Sequence, residues 1–250
     1  MRVFAIADLH LGFSTGKWMD RFGDHWKGHH EKVEKAWRER IEANDIVVLP
    51  GDFSWAMKPA EVAEEFDWLA RLPGKKVLTK GNHDYWWPKS RTKLEALLPP
   101  DCHAIKKRAV RIDGVPFITA RGADFMAFED KPVEDIEAAL DREERELLAS
   151  IADLERVGEG RVPPVALFHY PPIPIDEDAA VGPPDRFSRH LEAAGCRWCV
   201  YGHLHSREEW ERVFQGERGG VRYRLVSCDS LDFVPELLFE LPDDDDASGS

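Results

Sequence analysis

The sequence predicts an α/β sandwich, with mixed central sheets inside and helices outside. Three observations predict it. Short runs rich in Val, Ile, Leu and Phe alternate with amphipathic stretches at helical spacing. Two glycine-centred turns mark hairpins later in the chain, and no internal repeat or linker divides it.

In chain order, the strand-like runs are 2–7, 45–50, 75–79, 165–168 and 197–201, each ending at Gly, Asp or His. Their continuous apolar character is that of strands buried on both faces. Between them, Val33, Trp37 and Ile41 repeat at helical spacing, and Val62, Phe66 and Leu69 do so after Pro59, a favourable first-turn residue. A long helix is predicted after Pro132, with Ile136, Leu140, Leu147, Ile151 and Leu154 on one stripe. These stripes read as core faces. Two segments read as antiparallel: 104–119, turning at Asp113-Gly114, and 210–241, turning at Gly219-Gly220.

The chain of 250 residues is long enough for one domain with a substantial core, expected over 1–241. Residues 242–250, with Asp243 to Asp246 in a run, read as a solvated, disordered acidic tail. The net charge of −13 argues against extended nucleic-acid binding or an anionic membrane surface, because both depend on a broad basic face. No run approaches the roughly 18 apolar residues of a membrane span, and no signal-peptide pattern is present, so a cytoplasmic location is expected. Cys102, Cys196, Cys199 and Cys228 are too few for a disulfide framework and read as buried free thiols.

The polar residues fall in a pattern. Asp8 and His10 follow the first strand, Asp52 the second, Asn82-His83-Asp84 the third, His169 the fourth, and His203 and His205 the fifth. Ligands of open α/β sheets bind at the C-terminal strand edge, so five distant loops converge on one place. Asp, Asn and His without thiolate suit Mn, Fe or Zn and disfavour an all-oxygen calcium site. On an extended segment, side chains two apart point the same way, which would let Asp8 and His10 reach one ion. The glycines before Asp52, Asn82 and His203 would bring these ligands close. His25, His29, His30, His103 and His190 lie outside the pattern and read as surface or helix residues, His25 being the nearest to it.

At these residues the sequence resembles the calcineurin-like metallophosphoesterase superfamily. The ordered set D-x-H, G-D, G-N-H-D, H and G-H-x-H runs from Asp8 to His205, and 51–56 and 81–87 resemble a poorly characterised bacterial branch. One departure stands out: Trp55 occupies a position where relatives carry Asp or Arg. The resemblance implies a four-layer α/β/β/α sandwich and two divalent ions, one held by Asp8, His10, Asp52 and His205, the other by Asp52, Asn82, His169 and His203. Asp52 would bridge them. His83 would act as general acid, with Asp84 orienting its ring. The implied reaction is hydrolysis of a small phosphomonoester or phosphodiester by metal-bridged hydroxide, with no protein nucleophile. Trp55, Tyr85 and Trp86 are candidates for substrate contact, against the alternative that the aromatic rings only pack the loops together. A nuclease acting on short oligonucleotides and a non-catalytic scaffold on the same fold are the competing readings. Monomer or dimer is left open.

Overall fold

The computed structural model describes residues 1–124, 132–175, 183 and 185–241. Its first strands are β1 (Arg2–Ala5), β2 (Ile46–Pro50), β3 (Lys75–Thr79), β4 (Cys102–Ala104), β5 (Val110–Ile112) and β6 (Val115–Thr119). They are followed by β7 (Val165–Leu167), β8 (Trp198–Tyr201), β9 (Gly216–Arg218), β10 (Val221–Leu225) and β11 (Glu236–Glu240). The helices that carry the outer faces are α1 (His29–Arg40), α2 (Ala63–Ala70), α3 (Arg91–Glu95), α4 (Val133–Ala152), α5 (Leu154–Val157), α6 (Ser188–Ala193) and α7 (Arg207–Arg212).

Two mixed sheets result, ordered β11-β1-β2-β3-β4 and β5-β6-β7-β8-β10-β9. β1 to β4 are parallel, and so are β6, β7, β8 and β10, while the antiparallel strands β11, β5 and β9 lie at the edges. The period of two along each strand builds the layers. Val3 and Ala5 of β1, with Ile46 and Val48 of β2, meet Val165, Leu167 and Val200 between the sheets. Phe4, Val47 and Leu49 point outward against Val33 and Trp37 of α1 and Phe66 and Leu69 of α2. On the far side, Ala166, Cys199 and Tyr201 pack on Ile136, Leu140 and Leu147 of α4 and Leu191 of α6. This is the α/β/β/α sandwich, and both faces of its central strands are buried, as their unbroken apolar runs require. All four cysteines are buried and free.

Several local expectations need correction. Pro59 heads a separate 3-10 turn, Pro59–Glu61, and α2 starts only at Ala63. Ala104 does not begin an antiparallel segment; it ends β4, parallel to β3 in the first sheet. Trp210 lies in α7, so the hairpin is only β9 and β10 around Gly219-Gly220, and β11 crosses to the other sheet. The helix after Pro132 breaks at Asp153, leaving Ile151 and Leu154 half-buried. The tail at 242–250 lies outside the described residues, as do 176–182 and 184.

The two sheets are stitched together at their C-terminal edge. Ala7 bridges Ser227, its amide donating to Val226 O at 2.7 Å, while the Cys228 amide donates to Ala7 O at 2.9 Å. Beyond that seam, the amides of Asp8, His10 and Leu11 donate to the carbonyls of Gly51, Asp52 and Phe53. The loops after β1 and β2 therefore enter the site zipped together.

Candidate metal centre

Four of the expected ligands have left-handed backbone: Asp8 (φ 58°), His10 (φ 44°), Asp52 (φ 52°) and His203 (φ 76°). Such conformations cost about 1–3 kcal/mol each and concentrate at functional sites. The D-x-H segment is thus not extended, contrary to the reasoning from strand alternation. Asp8 and His10 converge by consecutive tight turns, held by the amide bonds to Gly51 and Asp52. Glycine makes room for the ligands. A Cβ on Gly81 would lie 2.0 Å from Asp52 Oδ1, and one on Gly202 would lie 2.2 Å from Asp8 Oδ2.

The fold brings the predicted residues together in two groups. Ligand atoms of Asp8, His10 and His205 lie within 4.8 Å of one another, and so do those of Asp8, Asp52 and His169. Asp52 Oδ2 is 3.6 Å from His10 Nε2 and 3.6 Å from His169 Nε2, so one oxygen faces a histidine of each group. Asn82 Oδ1 sits 2.5 Å from His169 Nε2, and the rings of His169 and His203 are 5.1 Å apart. The backbone amides of His203 and His83 donate to Asp8 Oδ2 (2.9 Å) and Asp52 Oδ1 (2.8 Å), fixing both carboxylates.

The electrostatics are those of a cation site. Burial pushes Asp8 up to about 7, with Asp52 adding to this and His205 opposing it. Burial would raise Asp52 too, but His169, His10 and the His83 amide outweigh it and keep Asp52 ionised. Burial holds His169 down to about 4 and His10 well below its ordinary value, while the charge of Asp52 opposes it in both. His205 goes the other way. Burial would lower it, but its hydrogen bond to Asp229 and the charge of Asp8 lift it to about 9. Asp8 Oδ1 is buried with no hydrogen-bond partner among the described residues. Such an atom fits a coordinated ion.

His83 borders a cavity of about 370 Å3 that is also lined by His10, Asp52, His203 and His205. Trp55 stacks on His10 with ring centroids 4.7 Å apart and lies 4.6 Å from His83. Tyr85 is 56% exposed at 6.2 Å from the His83 ring.

Two expectations are corrected. Trp86 cannot touch substrate: it is fully buried against Phe53 and Phe66. Asp84 does not orient the His83 ring. Its carboxylate accepts from the amides of Gly81, Asp52, Phe53 and Ser54 and from Trp86 Nε1. Asp84 therefore shapes the loops that carry the ligands.

Two carboxylates escape a reading of the sequence alone. Asp229 Oδ1 accepts from His205 Nδ1 at 3.0 Å, and Asp124 Oδ2 lies 3.5 Å from His203 Nε2. Asp229 follows β10, which alternates apolar and basic residues (VRYRL) and runs parallel to β8, whereas its sequence pattern reads as part of an antiparallel segment. His25 lines the cavity as well.

A two-sheet sandwich that gathers Asp, Asn and His at one strand edge is the architecture of a metal-dependent hydrolase. The chain belongs to the calcineurin-like phosphoesterase family, whose model matches residues 1–207. Among solved structures it is similar to a phosphopantetheinyl hydrolase from Mycobacterium tuberculosis, with 18% identity, 96% of each chain covered and a TM-score of 0.54. A protein of unknown function from Aquifex aeolicus aligns over 94% of this chain and 95% of that one, with 17% identity and a TM-score of 0.49. The Gene 66 protein of Mycobacterium phage L5 is 29% identical over 85 residues, a stretch covering 34% of this chain and 41% of that protein. No helix among the described residues is long and apolar enough to cross a membrane.

Proposed function

We propose that the protein is a dinuclear-metal phosphohydrolase acting on a small phosphomonoester or phosphodiester. The observation that carries this reading is the position of Asp52 Oδ2, equidistant at 3.6 Å from His10 Nε2 and His169 Nε2. Asp8, His10, Asp52 and His205 would hold one ion, and Asp52, Asn82, His169 and His203 the other. Mn, Fe and Zn all suit these donors. Two such ions lower the pKa of bound water towards neutrality and neutralise phosphoryl oxygens.

The chain's own residues supply the rest. Asp229 holds the Nδ1 proton of His205 and so leaves Nε2 as the ligand atom. His83, tied by its amide to Asp52, presents its ring to the cavity and would donate a proton to the leaving oxygen. Burial lowers His83 and the charge of Asp52 opposes that. An arriving phosphate dianion adds to the Asp52 effect and favours the protonated ring. Trp55, beside both His10 and His83, and the exposed Tyr85 would contact the organic part of the substrate. Four buried free thiols suit a reducing compartment, and the cytoplasm is the proposed location.

The test is release of p-nitrophenol from mono- and bis-p-nitrophenyl phosphate with Mn2+, with loss of turnover in chelator. His83→Ala should lower kcat by about 10²–10⁴-fold while leaving the bound metal unchanged. Metal loss in that variant would instead make His83 a ligand, and turnover unaffected by chelator would refute the reading.

A further inference from the structure

A second cavity, of about 300 Å3, opens beside the metal centre. No basic stripe is visible in the sequence, and the chain as a whole is acidic. The fold nevertheless gathers Lys80, Lys89, Lys106, Lys107, Arg121 and Arg142 around this one cleft, against the two carboxylates Glu143 and Glu146. Glu143 pairs with Arg121 at 3.3 Å and Arg142 at 3.4 Å, and Glu146 with Lys107 at 2.7 Å. Lys106 Nζ donates to the carbonyls of Pro88 and Lys89. Among the described residues, no carboxylate pairs with Lys80, Lys89 or Lys106.

The cleft is short of negative charge. Burial, then the charges of Lys80 and Lys107, lower Lys106 below its ordinary value, a mark of cations crowded together. Two further donors are idle. The indole Nε1 of Trp87, a residue 6% exposed, and Nε of Arg121 are buried with no hydrogen-bond partner among the described residues. Both residues line the cleft. Buried donors rarely stay unpaired, and an oxyanion would satisfy them and the lysines at once.

The cleft also adjoins the metal centre. Lys80 is two residues from Asn82, so their Cα atoms are at most about 7.6 Å apart. The Arg121 carbonyl accepts from the amides of His169 and Tyr170. The cleft therefore borders the Asn82–His169 side of the centre, away from the cavity walled by Trp55.

We propose that this cleft is a second anion site, taking a phosphate-class group next to the phosphoester that is hydrolysed. It rests on the phosphohydrolase reading and deepens it. The anion comes either from the substrate, which then carries two phosphoryl groups, or from solution as free phosphate.

The first arm is calorimetric titration of the Mn2+-loaded full chain with inorganic phosphate. Wild type should bind two phosphates and Lys80→Ala/Lys106→Ala one, or two with the second weakened by about tenfold or more. Unchanged turnover of p-nitrophenyl phosphate and an unchanged Tm show that the variant is folded; if it is not, Lys80→Gln/Lys89→Ala replaces it. One phosphate in wild type, or two of unchanged affinity in the folded variant, overturns the proposal. The second arm compares thymidine 5′-(p-nitrophenyl phosphate) with and without a 3′-phosphate. A KM about tenfold lower with the 3′-phosphate, lost in the lysine variant, assigns the anion to the substrate. Equal KM values alongside two bound phosphates assign it to free phosphate. Failure to turn over any ester would refute the phosphohydrolase reading but leave the titration result intact.

Discussion

At Asp84, five N–H groups meet one buried carboxylate: the amides of Gly81, Asp52, Phe53 and Ser54 and the Trp86 indole. Those donors belong to the two loops that deliver Asp52, Asn82 and His83. Asp84→Ala would leave them unpaired in the interior, at about 1–3 kcal/mol for each group left unsatisfied. The expected outcome is a Tm drop of roughly 10–20 °C, taking the lower end, about 5 kcal/mol for the five groups, in a chain of this size. Thermal denaturation of the variant checks it; an unchanged Tm with a shifted pH profile would restore Asp84 to the role of orienting His83. Asp229 acts differently, because it touches only one ligand ring. Asp229→Ala should weaken metal binding by about 10–100-fold with little change in Tm, measured by metal titration, and Asp229→Asn should recover part of it. At this scale residue type and strand-end position sufficed to single out Asp8, His10, Asp52, Asn82, His169, His203 and His205 as candidate ligands, several of which the fold brings together. The work of Asp84 was not legible, because a hub of backbone donors has no motif. Trp86 follows the packing alternative, illegible for a related reason: its place three residues after His83 in the chain says nothing of which way its ring turns.

Between elements, the clearest electrostatic feature ties α6 to α4. Glu144 accepts from Arg186 (2.9 Å), Arg189 (2.8 Å) and His190 (2.7 Å). Partial burial works against its charge, but these hydrogen bonds outweigh burial and hold Glu144 down to about 2. A depressed carboxylate gives stability that is complete above its ordinary value of 4.5 and is lost as pH falls through about 2. Glu144→Gln should therefore unfold at a lower temperature than wild type at pH 7, with the gap narrowing between pH 4.5 and 2. Parallel melting curves at these pH values check this; a constant gap would mean that Glu144 contributes by packing alone. Elements were legible where periodicity was strong. β3 spans 75–79 as expected, and the Val33–Trp37–Ile41 stripe faces the core of the first sheet. Legibility failed at 104 and 210, where a strand and a helix each adjoin a hairpin and local pattern cannot say which sheet a strand will join.

Across the whole molecule, the two sheets do more than enclose a core. Their C-terminal edges are joined at Ala7 and Ser227, so ligands from the loops of β1, β2 and β3 meet those from β7 and β8 on a common rim. The net charge of −13 is distributed unevenly on this frame. The buried carboxylates Asp8 and Asp52 lie at the candidate metal centre, and beside them the fold concentrates basic side chains from segments as far apart as Lys80 and Arg142. The overall acidity was legible from composition, but the basic cleft was not, because it exists only once β3, β4, β6 and α4 are adjacent. In the proposed dinuclear centre one bridging carboxylate, Asp52, organises two ions. Metal content per chain, measured by mass spectrometry on protein reconstituted with Mn2+ and freed of excess, tests it most directly. Wild type should retain two ions and Asp52→Ala should lose both or nearly both, with phosphoesterase activity lost in step. A single ion in wild type, or two ions retained by a folded Asp52→Ala, would contradict it.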